Sequence, residues 1–115
     1  DAFKFLDTMG DQYDLIILDP PAFAKHKKVL NNALQGYRKL NAKAFEKIRP
    51  GGILFTFSCS QVVSKENFRL AVFSAAAQSG RNVRILHQLT QPADHPVNIY
   101  HPEGEYLKGL VLYVE

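Results

Sequence analysis

Residues Tyr13-Asp14-Leu15-Ile16-Ile17-Leu18-Asp19-Pro20-Pro21-Ala22-Phe23-Ala24-Lys25 decide the fold. A short apolar run stops abruptly at Asp19-Pro20-Pro21. Such a run, bounded by prolines that end both helix and ladder, reads as a buried strand. In open parallel sheets ligands bind beyond the carboxyl ends of the strands. Asp19, held at such an end by a stiff Pro-Pro turn, is therefore a candidate site residue. An aspartate before proline also reads as a plain turn former.

Downstream of this stretch helical and strand patterns alternate, with no internal repeat. Val29 to Ile48 carries Leu30, Leu34, Tyr37, Leu40, Ala44, Phe45 and Ile48 at helical spacing, which predicts a long helix. Arg49-Pro50-Gly51-Gly52 reads as a breaker, and Ile53 to Phe57 as a second strand ending in Ser58-Cys59-Ser60. Ser64 has the character of an N-cap for a helix from Lys65 to about Gln78, closed by Ser79-Gly80. Val83 to Leu89 is a third strand, Thr90 to Glu105 a long loop, and Leu107 to Val114 a last strand. A short helix is expected before Gly10, over residues 1–9. Three strands joined by helical crossovers should lie parallel in one sheet. The final connection carries no helix, so the last strand is expected to run antiparallel. The fold class is therefore α/β, a Rossmann-like half-sheet flanked by helices.

The 115 residues make one domain at most, with 46% hydrophobic and 22% charged residues. That composition excludes a disordered chain. A formal charge of +3 is mildly basic and weighs little toward nucleic acid. A single cysteine excludes an internal disulfide and fits a reducing, cytoplasmic setting. No apolar run approaches the ~20 residues of a membrane span, and Asp1-Ala2-Phe3-Lys4 does not open a signal peptide. No membrane partner and no metal is expected. The absence of an initiator methionine leads to the expectation that the chain is cut from something longer.

Cys59 ends the second strand as Asp19 ends the first. Neighbouring strands would put those ends roughly 5 Å apart, and one intervening strand roughly 10 Å. Either way an acid and a thiol face one substrate. A lone cysteine also reads as a small core hydrophobe. Lys25, Lys27 and Lys28 read equally as a solvated loop, and His95 as a surface imidazole.

Asp19-Pro20-Pro21-Ala22-Phe23-Ala24-Lys25, Gly36-Tyr37-Arg38, Arg49-Pro50-Gly51-Gly52-Ile53-Leu54 and Ser58-Cys59-Ser60 stand in this order. Asp94-His95-Pro96 and Glu105-Tyr106-Leu107-Lys108-Gly109 follow. Taken together they resemble the carboxyl-terminal half of a class I S-adenosylmethionine-dependent methyltransferase. More narrowly they resemble the large-subunit ribosomal RNA cytosine-C5 methyltransferase family. The resemblance covers essentially all of residues 1–115, read as a partial catalytic domain. It implies S-adenosyl-L-methionine as cofactor and ribosomal RNA as partner. It implies Cys59 as nucleophile and Asp19 as the residue at the base edge. It also implies Asp1, Ala2, Asp19 and Pro20 near the cofactor, and Pro21, Phe23, Lys25, Lys28, Arg38 and His95 toward RNA. The family's sheet inserts the last strand, antiparallel, between the second and third strands of this segment. The family's glycine-rich turn does not occur here, so the segment alone is expected to be inactive. The open edge of the first strand is then expected to associate, including with a second copy.

Two other readings stay open. Asp-Pro-Pro followed by an aromatic is the pattern of base-nitrogen methylation, where the ring stacks on the flipped base; here Ala22 intervenes before Phe23. A non-catalytic interaction module is the other. A second cysteine, which assists product release in some RNA cytosine methyltransferases, is absent, so the base that removes the C5 proton is unassigned.

Overall fold

The computed structural model describes residues 13–21, 30–91, 96–101 and 106–115. In chain order these form β1 (Tyr13–Leu18), α1 (Leu30–Lys47), β2 (Ile48–Ser58), α2 (Lys65–Ser79), β3 (Val83–Leu89) and β4 (Lys108–Val114). The helix expected over residues 1–9 lies outside the described residues.

The strands form one sheet in the order β1-β2-β4-β3. β1 and β2 are parallel, and β4 is antiparallel to both β2 and β3. β1, β2 and β3 therefore point the same way, with β4 running against them from between β2 and β3. Both helices cover one face. Tyr37, Leu40 and Phe45 of α1 and Phe68, Val72 and Ala75 of α2 join Ile16, Leu18, Leu54, Leu110 and Leu112 in one buried cluster. The spacing of three and four along each helix places these residues on a single stripe. Ser64 caps α2 by accepting the Asn67 amide at 3.0 Å, and Gly80 ends it in the left-handed region at φ 71°.

Two expectations need correction. β1 is buried on one face only: Ile16 and Leu18 lie under the helices, whereas Leu15 and Ile17 are 52% and 62% exposed. The reason is position, since β1 is an outer strand with helices on one side among the described residues. The second correction concerns Arg49-Pro50-Gly51-Gly52, which does not separate helix from strand. It is built into β2, which starts at Ile48 immediately after α1. The β1–β2 register jumps from Tyr13 opposite Ile48 to Leu15 opposite Ile53. Gly51, at φ 85°, supplies the bend.

Gly52 has no room for a side chain. A Cβ there would meet Ile48 Cγ1 at 2.6 Å, the Arg49 carbonyl oxygen at 2.9 Å and the Asp14 carbonyl oxygen at 3.0 Å. Two of these neighbours are backbone and cannot rotate away. Gly52→Ala is expected to cost about 1–3 kcal/mol through overpacking, read as a lower urea midpoint. An unchanged midpoint would show that the entry to β2 yields freely.

Candidate active site

The parallel pairing of β1 with β2 decides what can meet at the carboxyl edge. Leu18 lies opposite Thr56, so Asp19 and Cys59 follow the ends of adjacent strands. Their backbones are separated by one strand spacing, about 5 Å, and an offset of two residues, about 7 Å. Asp19 is exposed, Pro20 buried and Pro21 exposed. Cys59 is half-buried, between Ser58 and Ser60, which are 0% and 1% exposed. An acidic group open to solvent and a partly sheltered thiol thus share one edge.

The turn that carries Cys59 is held from the helix side. Ser58 Oγ donates to Tyr37 Oη at 2.9 Å and accepts the Ser60 amide at 3.3 Å. Tyr37 is fully buried, and its ring meets Phe68 edge-on with centroids 5.6 Å apart. The Ser60 carbonyl accepts the Val63 amide at 3.3 Å, which tightens the turn into α2.

β4 reaches the same edge from the opposite direction. Ser58 pairs with Lys108, whose side chain lies inward with only 6% of the residue exposed. Lys108 Nζ donates to the Ser60 carbonyl at 2.5 Å and to the Tyr106 carbonyl at 2.6 Å. Burial pushes the Lys108 ammonium below the usual lysine pKa; the charge of Cys59 pulls it up and that of Lys65 pushes it down. A small cavity here is lined by Lys65, Phe68, Arg69, Gln88, Thr90 and Lys108 among others.

Of the residues singled out in the sequence, Asp19, Pro20, Pro21 and Cys59 are brought to this edge. Arg38 is not. Its guanidinium donates to Gln35 Oε1 at 2.7 and 3.0 Å and to Gln78 Oε1 at 2.7 Å. Gln78 stands near the far end of α2, about 20 Å along the helix from Lys65. Arg38 therefore ties the seam between α1 and α2. Asp1, Ala2, Phe23, Lys25, Lys28 and His95 lie outside the described residues. Sequence reasoning missed Lys108 and the Tyr37–Ser58 bond. The signal for Lys108 was its phase: it alternates with Leu110, Leu112 and Val114, and those positions face the helices.

Among the described residues no group of three or more His, Cys, Asp or Glu side chains is placed to hold a metal. No described helix is long and apolar enough to cross a membrane.

No family model matches the chain. It is 47% identical over 115 residues to ribosomal RNA large subunit methyltransferase I of Tolumonas auensis, covering 97% of this chain and 29% of that protein. It is 44% identical to the protein of the same name from Cronobacter sakazakii, covering 99% and 30%. The chain therefore spans about three-tenths of the length of the curated relatives it matches. Among solved structures it superposes on SMU.776, described as a methyltransferase complexed with SAH, with a TM-score of 0.78 at 23% identity, covering 99% of this chain and 30% of that one. A SAM-dependent methyltransferase from Streptococcus mutans gives 0.76 at 21% identity, covering 99% and 29%. At these identities the likeness is one of fold. By sequence the chain is similar, over nearly all its residues, to one segment of ribosomal RNA large subunit methyltransferases I, and by architecture to part of a methyltransferase.

Proposed function

We propose that this chain supplies the catalytic edge of an enzyme that methylates carbon 5 of a cytosine in large-subunit ribosomal RNA through a covalent Cys59 adduct. One observation carries the reading: β1 and β2 pair directly, so Asp19 and Cys59 stand at adjacent strand ends. The relatives' shared name supports the substrate class. S-adenosyl-L-methionine, when bound, supplies an electrophilic methyl group on sulfur. The described residues fit one side of its site: exposed Asp19 followed by buried Pro20 gives a rigid polar corner at the carboxyl edge. The glycine-rich turn that would complete the site is not in this sequence, so the segment alone is inactive on this reading.

Carbon 5 of cytosine is a weak nucleophile. The Cys59 thiolate adds to carbon 6, and the electron pair of the ring double bond moves toward carbon 5. With S-adenosyl-L-methionine bound, carbon 5 would take the methyl group as its bond to sulfur breaks and the electron pair stays on sulfur, leaving the thioether. Loss of the carbon 5 proton returns a pair to the ring, and the Cys59–carbon 6 bond breaks to release thiolate. Asp19 engages the N3–N4 edge of the base, a carboxylate being a natural acceptor for the cytosine amino group. The Pro20-Pro21 backbone fixes where that carboxylate stands.

The test uses a full-length enzyme bearing this segment, with RNA containing 5-fluorocytidine and the methyl donor. Fluorine cannot leave carbon 5 as a proton does, so the adduct persists. A denaturant-resistant enzyme–RNA complex attached at Cys59 is expected. An active enzyme that forms no such complex would point instead to methylation at a base nitrogen, where no covalent catalysis is needed.

A further inference from the structure

Among the described residues the most unusual buried group is Lys108. It begins β4 opposite Ser58 and lies inside the helix-covered face at 6% exposure. A lysine is rarely so buried without a partner. Among the described residues no carboxylate takes that role: its two hydrogen bonds go to the carbonyls of Ser60 and Tyr106. Those bonds stitch the turn after Cys59 to the segment entering β4. They account for two of the three protons on the ammonium. Among the described residues the charged groups that bear on it are Cys59 at the end of β2 and Lys65 at the start of α2; Arg69 of α2 lines the same cavity. A lysine held beside two further cations is well placed to favour negative charge that develops nearby. Cys59, one residue before the carbonyl that Lys108 holds, is where negative charge develops in the reaction proposed above.

We propose that Lys108 is a positioning residue for Cys59: its ammonium fixes the Cys59-Ser60 turn through the Ser60 carbonyl and presents positive charge to the thiolate. This inference rests on the reading of Cys59 as nucleophile, but its physical content concerns the thiol alone. A cysteine attacks as thiolate, and a neighbouring cation favours that form. The clamp also keeps the reacting sulfur from wandering with its turn, since the same carbonyl is tied to Val63. No chemical step passes through Lys108; it remains an ammonium throughout.

Alkylation of Cys59, followed peptide by peptide by mass spectrometry in the full-length enzyme bearing this segment, tests the proposal without RNA or methyl donor. Iodoacetate carries a negative charge and iodoacetamide does not, so the ratio of their rates reads the charge facing the thiol. Lys108→Gln keeps an N–H donor for the carbonyls but removes the charge. It is expected to lower the iodoacetate rate at least about fivefold, by the scale of one unit charge a few ångströms away, with a smaller loss for iodoacetamide. Lys108→Arg, which keeps the charge, restores most of the iodoacetate preference. In methyl transfer Lys108→Gln is expected to lower kcat with KM for RNA little changed. If Lys108→Gln alkylates at wild-type rates with the wild-type ratio, Lys108 is a strand anchor only and the proposal fails. Should Lys108→Gln not fold, the wild-type enzyme against an unstructured peptide spanning Cys59 still decides: a folded-state preference for iodoacetate no greater than the peptide's overturns the idea. If the ratio shifts as expected but no 5-fluorocytidine adduct forms, the Lys108–Cys59 coupling stands and the carbon-methylation reading falls.

Discussion

Cys59→Ala, made in a full-length enzyme bearing this segment, is expected to cut methyl transfer at least about a thousandfold, on the scale seen when a covalent nucleophile is removed. The sequence holds no other cysteine, so no neighbouring thiol in this segment can substitute. Cys59 is half-buried, and its turn is fixed by backbone and serine contacts rather than by sulfur. The fold should therefore survive with a loss of less than about 1 kcal/mol. Transfer of a labelled methyl group, set beside a urea melt, separates the two effects. Full activity in a stable Cys59→Ala enzyme would remove Cys59 from the mechanism. Cys59→Ser, with a far weaker nucleophile in the same place, is expected to fall close to the alanine variant.

The largest stability effect is expected at Arg81, in the turn between α2 and β3. Its Nη1 donates to the carbonyls of Phe45 and Ile48 at 2.6 and 2.5 Å, and its Nε donates to the Glu115 carbonyl at 3.0 Å. The last carbonyls of a helix have no partner within it, and a cation there also meets the negative end of the helix dipole. One guanidinium thus closes α1, the entry to β2 and the residue after β4. Arg81→Ala removes three charge-assisted bonds from a partly buried site and is expected to cost about 2–4 kcal/mol. The urea midpoint should fall with little change in slope. Arg81→Lys keeps the charge but not the planar fork, so it should recover only part of the loss. A loss below about 0.5 kcal/mol for Arg81→Ala would show that water replaces the guanidinium without cost.

Much of this architecture was legible because local signals agreed with one another. Ser64 and Gly80 bracket α2 in the sequence and cap it in the structure. The spacing of Tyr37, Leu40, Ala44 and Phe45 marks the stripe that α1 buries. The Arg49-Pro50-Gly51-Gly52 stretch was misread because punctuation residues signal a bend without saying whether the ladder resumes. The pairing of Gly52 with Val114 shows that it does. The exposure of Leu15 and Ile17 was hidden for a related reason: an apolar run cannot reveal which of its faces finds a neighbour. At the site, Asp19 and Cys59 were readable from their places after strands. Lys108 was not, because even with β4 expected between β2 and β3 the order of elements does not tell that its ammonium folds back onto the carbonyls of Ser60 and Tyr106.

That placement of β4 also bears on how the chain is made. Among the described residues β3 pairs with no strand but β4, and β4 is the only link between β3 and the β1–β2 pair. During synthesis β1, α1, β2 and α2 can dock as they emerge, while β3 waits with its backbone groups unpaired. The sheet closes only when residues 108–114 thread into the gap, forming two ladders at once. Such late, non-local pairing is slow compared with local contacts. A ribosome stalled before β4 would therefore hold out a nascent chain with a split sheet and an unclamped Cys59 turn, a form suited to chaperone capture and unready for chemistry.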